Sequence, residues 1–313
     1  MGGRVKVLAV VPGPSTHGVV LHALSVARAV GADVQPNLGP PDPAYDIVHI
    51  PFTDALFGRD IATAAAFFAG WVARVDASLV VTLHDVPGLD ADPARDARRR
   101  AGYAQVAAAA DAVVVCSDAE ADRLDPRPAV VPLPVEPLDA PGPAPAWAGR
   151  TTLGVLGFVY PGKGHDRTLE VAAGTGAAVV ALGAASPGHN DLVGQLCAQA
   201  DSLGVELFVT GPLSEADLHA AARAVTVPVA AYATTGASAS LATWSAAGRR
   251  PVTTTSPYTQ ELAARDPGAL LLTDDLHAAV HAALADPGRT WGAAAAAHDV
   301  AAAHLAIYRS VLR

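Results

Sequence analysis

Short apolar runs alternate with longer amphipathic stretches along the chain. Residues 5–11 (VKVLAVV) are Val-rich and mostly apolar, the signal of a buried strand. A Pro/Gly turn follows at 12–18, and then helical spacing over 19–30. The same reading predicts strands at 47–50, 79–83, 112–116 and 130–133. It predicts helices over most of 52–75, over 95–110 and over 118–124, the last capped by Ser117. Strands separated by helices imply a parallel, doubly wound α/β sheet.

Residues 134–149 (PVEPLDAPGPAPAWAG) hold five prolines and two glycines, a linker composition. The pattern then restarts. Strands are expected at 153–159, 177–182, 205–210, 227–231 and 251–254. Helices are expected at 166–173, 192–203, 214–224, 240–247 and 260–264, with 275–313 mostly helical. The expectation is two Rossmann-like domains in series, 1–140 and 150–297, with a cleft between the C-terminal edges of their sheets. Ligands of open α/β sheets bind in such places.

Composition narrows the classes. The chain has 313 residues, 51% of them hydrophobic, so two cores are within reach. Its formal net charge is −9 and no basic stripe is present, which argues against a nucleic-acid scaffold. Two cysteines, Cys116 and Cys197, are too few for a disulfide framework and read as small buried hydrophobes. Residues 1–10 run directly into a strand-like segment without a leader pattern, so a cytoplasmic protein is expected. The apolar stretch 61–73, with Phe67, Phe68 and Trp71, is too short to span a bilayer; it reads as a buried helix, with contact to a membrane surface as the alternative.

Four segments can carry chemistry. In the first, 11–18 (VPGPSTHG), Gly18 opens a helix whose N–H groups suit a phosphate, although a plain βα turn reads equally well. In the second, 80–85 (VVTLHD), His84 stands at a strand tip, where it either meets a ligand or merely caps the strand. The third, 157–166 (GFVYPGKGHD), sets Gly157, Lys163 and Gly164 in a tight turn before a helix, which places an ammonium beside a helix dipole. The fourth, 234–240 (TTGASAS), brings Thr235, Gly236, Ser238 and Ser240 to a helix start, an anion nest or an ordinary N-cap. Gly157 to Lys163 has Walker spacing, but Gly164 stands where a magnesium-binding Ser or Thr belongs. No Cys/His cluster has zinc spacing, and Asp90-Ala-Asp92 reads as a solvated turn, so no metal site is expected.

In this order the segments resemble family-four retaining glycosyltransferases of the GT-B fold, across nearly the whole chain. The Gly-bearing first loop with His22 and Leu24, the T-L-H-D of 82–85, and 110–124 followed by Val130-Val-Pro132 all resemble stretches of that family. So do Gly157 with Lys163-Gly164, the turn 246–252 (AAGRRPV), and the last helix at 297–312, which in the family crosses back onto the first domain. The resemblance implies a nucleotide-sugar donor, UDP- or GDP-linked, and no cofactor or required metal. It assigns His84 as the active-site histidine and Lys163 as the phosphate clamp. Two departures stand out. Phe158 replaces the Arg that follows the first Gly of the clamp; Arg150, Arg167, Arg249 and Arg250 are the nearby substitutes. Thr235 and Thr243 replace two Glu, and 232–260 contains no carboxylate. Thr243 is then a neutral partner for ribose, and Thr235 with 236–240 one for phosphate or sugar. The expected function is transfer of a sugar, with retention, to an unidentified acceptor. The alternatives are a non-catalytic nucleotide-sugar binder that regulates a partner, and an epimerase of the same fold.

Overall fold

A computed structural model describes residues 5–292 and 298–312. The chain divides into two compact units, Met1–Leu133 with His298–Arg313, and Pro134–Ala297. In the first unit the elements are β1 (Val7–Val10), α1 (Gly18–Val30), β2 (Asp33–Gln35), β3 (Ile47–Phe52), α2 (Asp54–Phe57), α3 (Ile61–Val72), β4 (Ser78–Leu83), α4 (Pro93–Ala108), β5 (Ala112–Val115), α5 (Asp118–Ala121) and β6 (Ala129–Val130). All pairings are parallel, in the order β2-β1-β3-β4-β5-β6. Every residue of β3 and β4 is buried, which is why apolar residues dominate them, with His49, Ser78 and Thr82 as buried polar members.

The second unit contains β7 (Thr152–Leu156), α6 (His165–Ala172), β8 (Ala178–Leu182), α7 (Asn190–Leu203), β9 (Leu207–Val209), α8 (Glu215–Ala224), β10 (Val227–Ala230), α9 (Ala239–Ala246), β11 (Val252–Thr254), α10 (Pro257–Arg265), β12 (Leu271–Thr273) and α11 (Leu276–Ala285). Its parallel order is β12-β11-β10-β7-β8-β9. The chain winds outward from β7 through β8 and β9, then returns to β10 on the other side. The order therefore reverses between β7 and β10, and that crevice is the topological switch point. The last helix, α12 (Val300–Ser310), belongs to the first unit. It lies on α1's side of the sheet, where Tyr308 and Val300 pack with Val7, Ile47, Val80 and Val114.

Several expectations are corrected. The helix expected over 52–75 is two, α2 and α3, because Gly58 stands in extended backbone and Asp60 caps the second. β2 and β12 were not expected. The span 275–313 is broken at Pro287, where a 3-10 turn, Pro287–Thr290, follows α11; residues 293–297 lie outside the described part. The Pro-rich stretch 134–149 is no free linker but packs on the second unit. Asp139 N–H donates to Glu215 Oε1 at 3.1 Å, Gly142 N–H to Ala216 O at 2.8 Å, and Trp147 is buried against Leu156, Ala221 and Trp244. Phe68 and Trp71 are buried in the first unit's core, which leaves Phe67 as the exposed aromatic of α3. Among the described residues no helix is long and apolar enough to cross a membrane. Cys116 is buried as expected, but Cys197 is exposed.

Candidate functional site

The second unit concentrates its chemistry at the switch point. The loop after β7 turns at Gly157, with φ +109°, and again at Gly162 and Gly164, with φ +84° and +95°. A Cβ on Gly164 would lie 2.3 Å from Ala231 O, so only glycine lets this loop settle against the end of β10. A Cβ on Gly157 would meet Ser240 Oγ at 2.7 Å and Lys163 Nζ at 3.1 Å. The three residues therefore share one small volume.

Lys163 is 4% exposed, and its Nζ donates to Ser240 Oγ at 2.8 Å. The ammonium also lies 4.9 Å from the Tyr232 ring centroid and 5.8 Å from that of Tyr160, so aromatic faces support the charge. Burial pulls its pKa below the ordinary lysine value, and Tyr160 opposes that pull. The Tyr232 and Ser238 hydroxyls lie 2.8 Å apart, and burial pushes the phenol up to about 12. Ser238 occupies the N-cap position of α9 without capping it; its hydroxyl is spent on Tyr232. Ser256, Ser214 and Asp275 cap α10, α8 and α11, whereas no side chain caps α6, α7 or α9. Of these, α6 and α9 start on either side of the switch point, and no side chain accepts from the amides of their first turns. A hollow of about 240 Å³, lined by Tyr160, Gly162, His165, Leu192, Gln195 and Gln199, borders the same loop.

The expected residues fall into three groups. Gly157, Lys163, Gly164, Ser238 and Ser240 come together as described. Thr235 and Thr243 are spent on their own backbone: Thr235 Oγ1 donates to Gly236 O at 2.8 Å and Thr243 Oγ1 to Ala239 O at 3.0 Å. Gly18 and His84 belong to the first unit, and a Cβ on Gly18 would meet nothing within 4 Å, so no close approach there demands glycine. Of the arginines considered as replacements for the missing cation, Arg150 pairs with Glu206 before β7. Arg249 is buried and donates to the carbonyls of Ala222, Arg223, Val225 and Thr226. Arg250 donates to Leu270 O. Arg167 alone reaches the cluster, donating to Ala231 O and Tyr232 O at 3.2 and 3.0 Å. Asp90 is held by Arg95, and Asp92 caps α4. Arg167 was among the expected substitutes, whereas Tyr232 is the site residue that sequence reasoning missed; its signal was its place directly after a strand at the switch point.

In the first unit His84 follows β4. Its N–H donates to Phe52 O at 2.8 Å, and its carbonyl accepts from the Tyr103 hydroxyl at 2.8 Å. Burial, with a lesser push from His17, lowers its pKa to about 4, so the ring is neutral at neutral pH. The next residue, Asp85, has positive φ, +51°, and is the one non-glycine among the described residues to do so. Its carboxylate accepts from Thr53 Oγ1 at 2.7 Å and its carbonyl from Arg99 at 2.8 Å, bonds that hold the strained turn. The His22 and His84 rings meet edge to face with centroids 5.2 Å apart.

No family model matches the chain, and no curated protein matches it. Solved structures do. HepE of Anabaena, in complex with UDP-glucose, is 16% identical with a TM-score of 0.72, over 98% of this chain and 95% of that one. Sucrose-phosphate synthase of Thermosynechococcus elongatus is 13% identical with a TM-score of 0.67, over 98% and 95%. AviGT4, a glycosyltransferase involved in avilamycin A biosynthesis, is 18% identical with a TM-score of 0.54, over 98% of each chain. At these identities the likeness shows the fold: two Rossmann-like α/β units of the GT-B type.

Proposed function

We propose that the chain is a family-four, retaining glycosyltransferase that moves a hexose from a nucleotide-sugar to an acceptor without a required metal. The observation that carries this reading is the buried Lys163 ammonium at the switch point, joined to Ser240 beside the uncapped start of α9. As a sugar leaves its donor, negative charge develops on the departing diphosphate. A fixed ammonium and helix N-terminal amides stabilise that charge as it forms. Gly157, Gly162 and Gly164 let backbone come close to phosphate oxygens. Thr235 and Gly236 border the donor, and Thr243 Oγ1, which donates to its own helix, keeps its lone pairs for a ribose hydroxyl. On the first unit, Gly18 opens α1 and a neutral His84 suits a sugar hydroxyl. HepE was solved with UDP-glucose, which makes that compound the first donor to try.

A second reading has its own observation. The segment 232–260 lacks any carboxylate, and both threonines in the expected Glu positions are turned onto backbone carbonyls. A chain that binds a nucleotide-sugar and regulates a partner fits those facts. The two are separated by incubating the protein with a nucleotide-sugar panel and following nucleoside diphosphate release, with donor binding measured by calorimetry. Release that depends on Lys163 supports transfer. Binding without release for any acceptor supports the second reading, and the absence of both overturns the pair.

A further inference from the structure

His22, His84 and Cys116 come from three elements and meet on one face of the first unit's sheet. β4 and β5 pair in parallel, with Thr82 opposite Val114, so two residues further on His84 stands opposite Cys116. Both lie on the face that carries Val80 and Val114, which is covered by Val26 of α1 and Tyr308 of α12. His22 comes down on them from the second turn of α1. One nitrogen from each imidazole and the Cys116 Sγ all lie within 4.8 Å of one another. Among the described residues this is the group of His, Cys and carboxylate side chains set closely enough to hold a metal ion.

Two facts make the cluster more than a packed corner. The Nε2 atoms of His22 and His84 are both buried without a hydrogen-bond partner, a situation that burial away from water makes unfavourable. Cys116 is fixed from behind, since its N–H donates to the buried Glu120 carboxylate at 3.0 Å. Tetrahedral zinc takes imidazole at about 2.0 Å and thiolate at about 2.3 Å, which sets donors roughly 3.5 Å apart. Donors that now lie within 4.8 Å of one another therefore need to close by up to roughly 1.3 Å.

We propose that His22, His84 and Cys116 form a three-ligand binding site for a borderline-soft divalent transition-metal ion of the zinc class, with water in the fourth position. Two neutral imidazoles and one thiolate suit such an ion, and they do not suit magnesium or calcium. On binding, the S–H bond of Cys116 breaks, sulfur gives its electron pair to the metal, and one proton leaves to solvent. The charge of the occupied site is then +1. The spacing 22, 84, 116 resembles no local zinc motif, because parallel pairing and a helix crossing bring the ligands together. The site stands on the first unit alone and does not rest on the transfer reading. Metal capture and contact with a sugar are competing uses of His84, so occupancy withdraws that residue from the reaction proposed above.

The test is a titration of the full chain, stripped with chelator, with cobalt(II) at neutral pH. The expected result is one equivalent bound, a thiolate-to-cobalt charge-transfer band in the near ultraviolet, tetrahedral bands in the visible, one proton released per ion, and displacement by zinc. Cys116→Ser should lose the charge-transfer band, and His22→Gln should weaken binding at least tenfold. Cys197→Ser, at an exposed site in the other unit, should change neither. Should Cys116→Ser fail to fold, His22→Gln and Cys197→Ser decide the matter. No band in the parent chain overturns the proposal, as does a band that survives Cys116→Ser or disappears with Cys197→Ser. Water as the occupant of this corner gives no band at all.

Discussion

Lys163 Nζ donates to Ser240 Oγ across 2.8 Å, joining two loops that are 77 residues apart in the chain. The bond ties the turn after β7 to the helix start after β10, the two strands that flank the switch point. If the ammonium stabilises a departing diphosphate, Lys163→Ala removes a charge that acts mainly in the transition state. Transfer should fall about 100-fold or more in kcat/KM, with donor affinity falling less. Steady-state rates with the best donor of the panel measure this. An unchanged rate would remove Lys163 from the mechanism.

Ser240→Ala is the companion variant. It deletes the hydroxyl that fixes the ammonium and leaves the charge, so a smaller loss than that of Lys163→Ala is expected. The two single losses should not add in the double variant, because both act through one contact. Full additivity would mean that the residues work separately.

Gly164→Ala tests the turn itself. The new Cβ would sit 2.3 Å from Ala231 O, at a backbone φ of +95°. Strain and clash together should lower stability by about 2–4 kcal/mol. Urea unfolding followed by the tryptophans of the second unit reads the effect. A neutral substitution would mean that the loop is not seated on β10.

Much of this was legible in the chain. β3, β4, β7 and β8 are buried on both faces, so their composition alone announces a parallel sheet. The Gly-flanked Lys163 stood out because its turn opens a helix directly after a strand, which places an ammonium beside a helix dipole. β2 and β12 were missed because they are three-residue edge strands, held by backbone pairing to β1 and β11, with no side-chain alternation to read. Tyr232 was missed because an aromatic after an apolar run looks like core. The bonds that turn Thr235 and Thr243 onto their own backbone leave no trace in composition. Cys116 read as a packed hydrophobe because its opposition to His84 depends on register, which sequence spacing does not encode.

Tyr308 anchors the last helix through a chain of polar contacts. Its hydroxyl lies 2.7 Å from His49 Nδ1, and His49 Nε2 lies 2.7 Å from Thr82 Oγ1, all inside the first unit. Tyr308→Phe keeps the ring and orphans one nitrogen of a buried imidazole. The first unit should lose about 1–3 kcal/mol. Native-state hydrogen exchange of α12 should rise with it; unchanged protection would show that apolar packing alone holds the helix.

The last expectation concerns acid. His165, the first residue of α6, is 2% exposed, and neither ring nitrogen has a hydrogen-bond partner. Burial, and then the positive charge of Lys163 nearby, lowers its pKa to about 3. An unfolded histidine takes a proton near pH 6.5, whereas the folded one refuses it until about pH 3. The unfolded state therefore binds more protons throughout that window, and stability must fall as pH falls through it. Above about pH 6.5 His165 carries no such penalty. Below that, its contribution grows at most to the order of 4 kcal/mol near pH 3. His165→Leu removes the proton acceptor and keeps an apolar side chain of related size. Urea midpoints of the parent and the variant at pH 7, 5 and 4 should run parallel for every other group and diverge for this one. The variant should gain relative to the parent as the pH drops. A constant difference between the two across that range would show that His165 takes up its proton in the folded chain as readily as in the unfolded one.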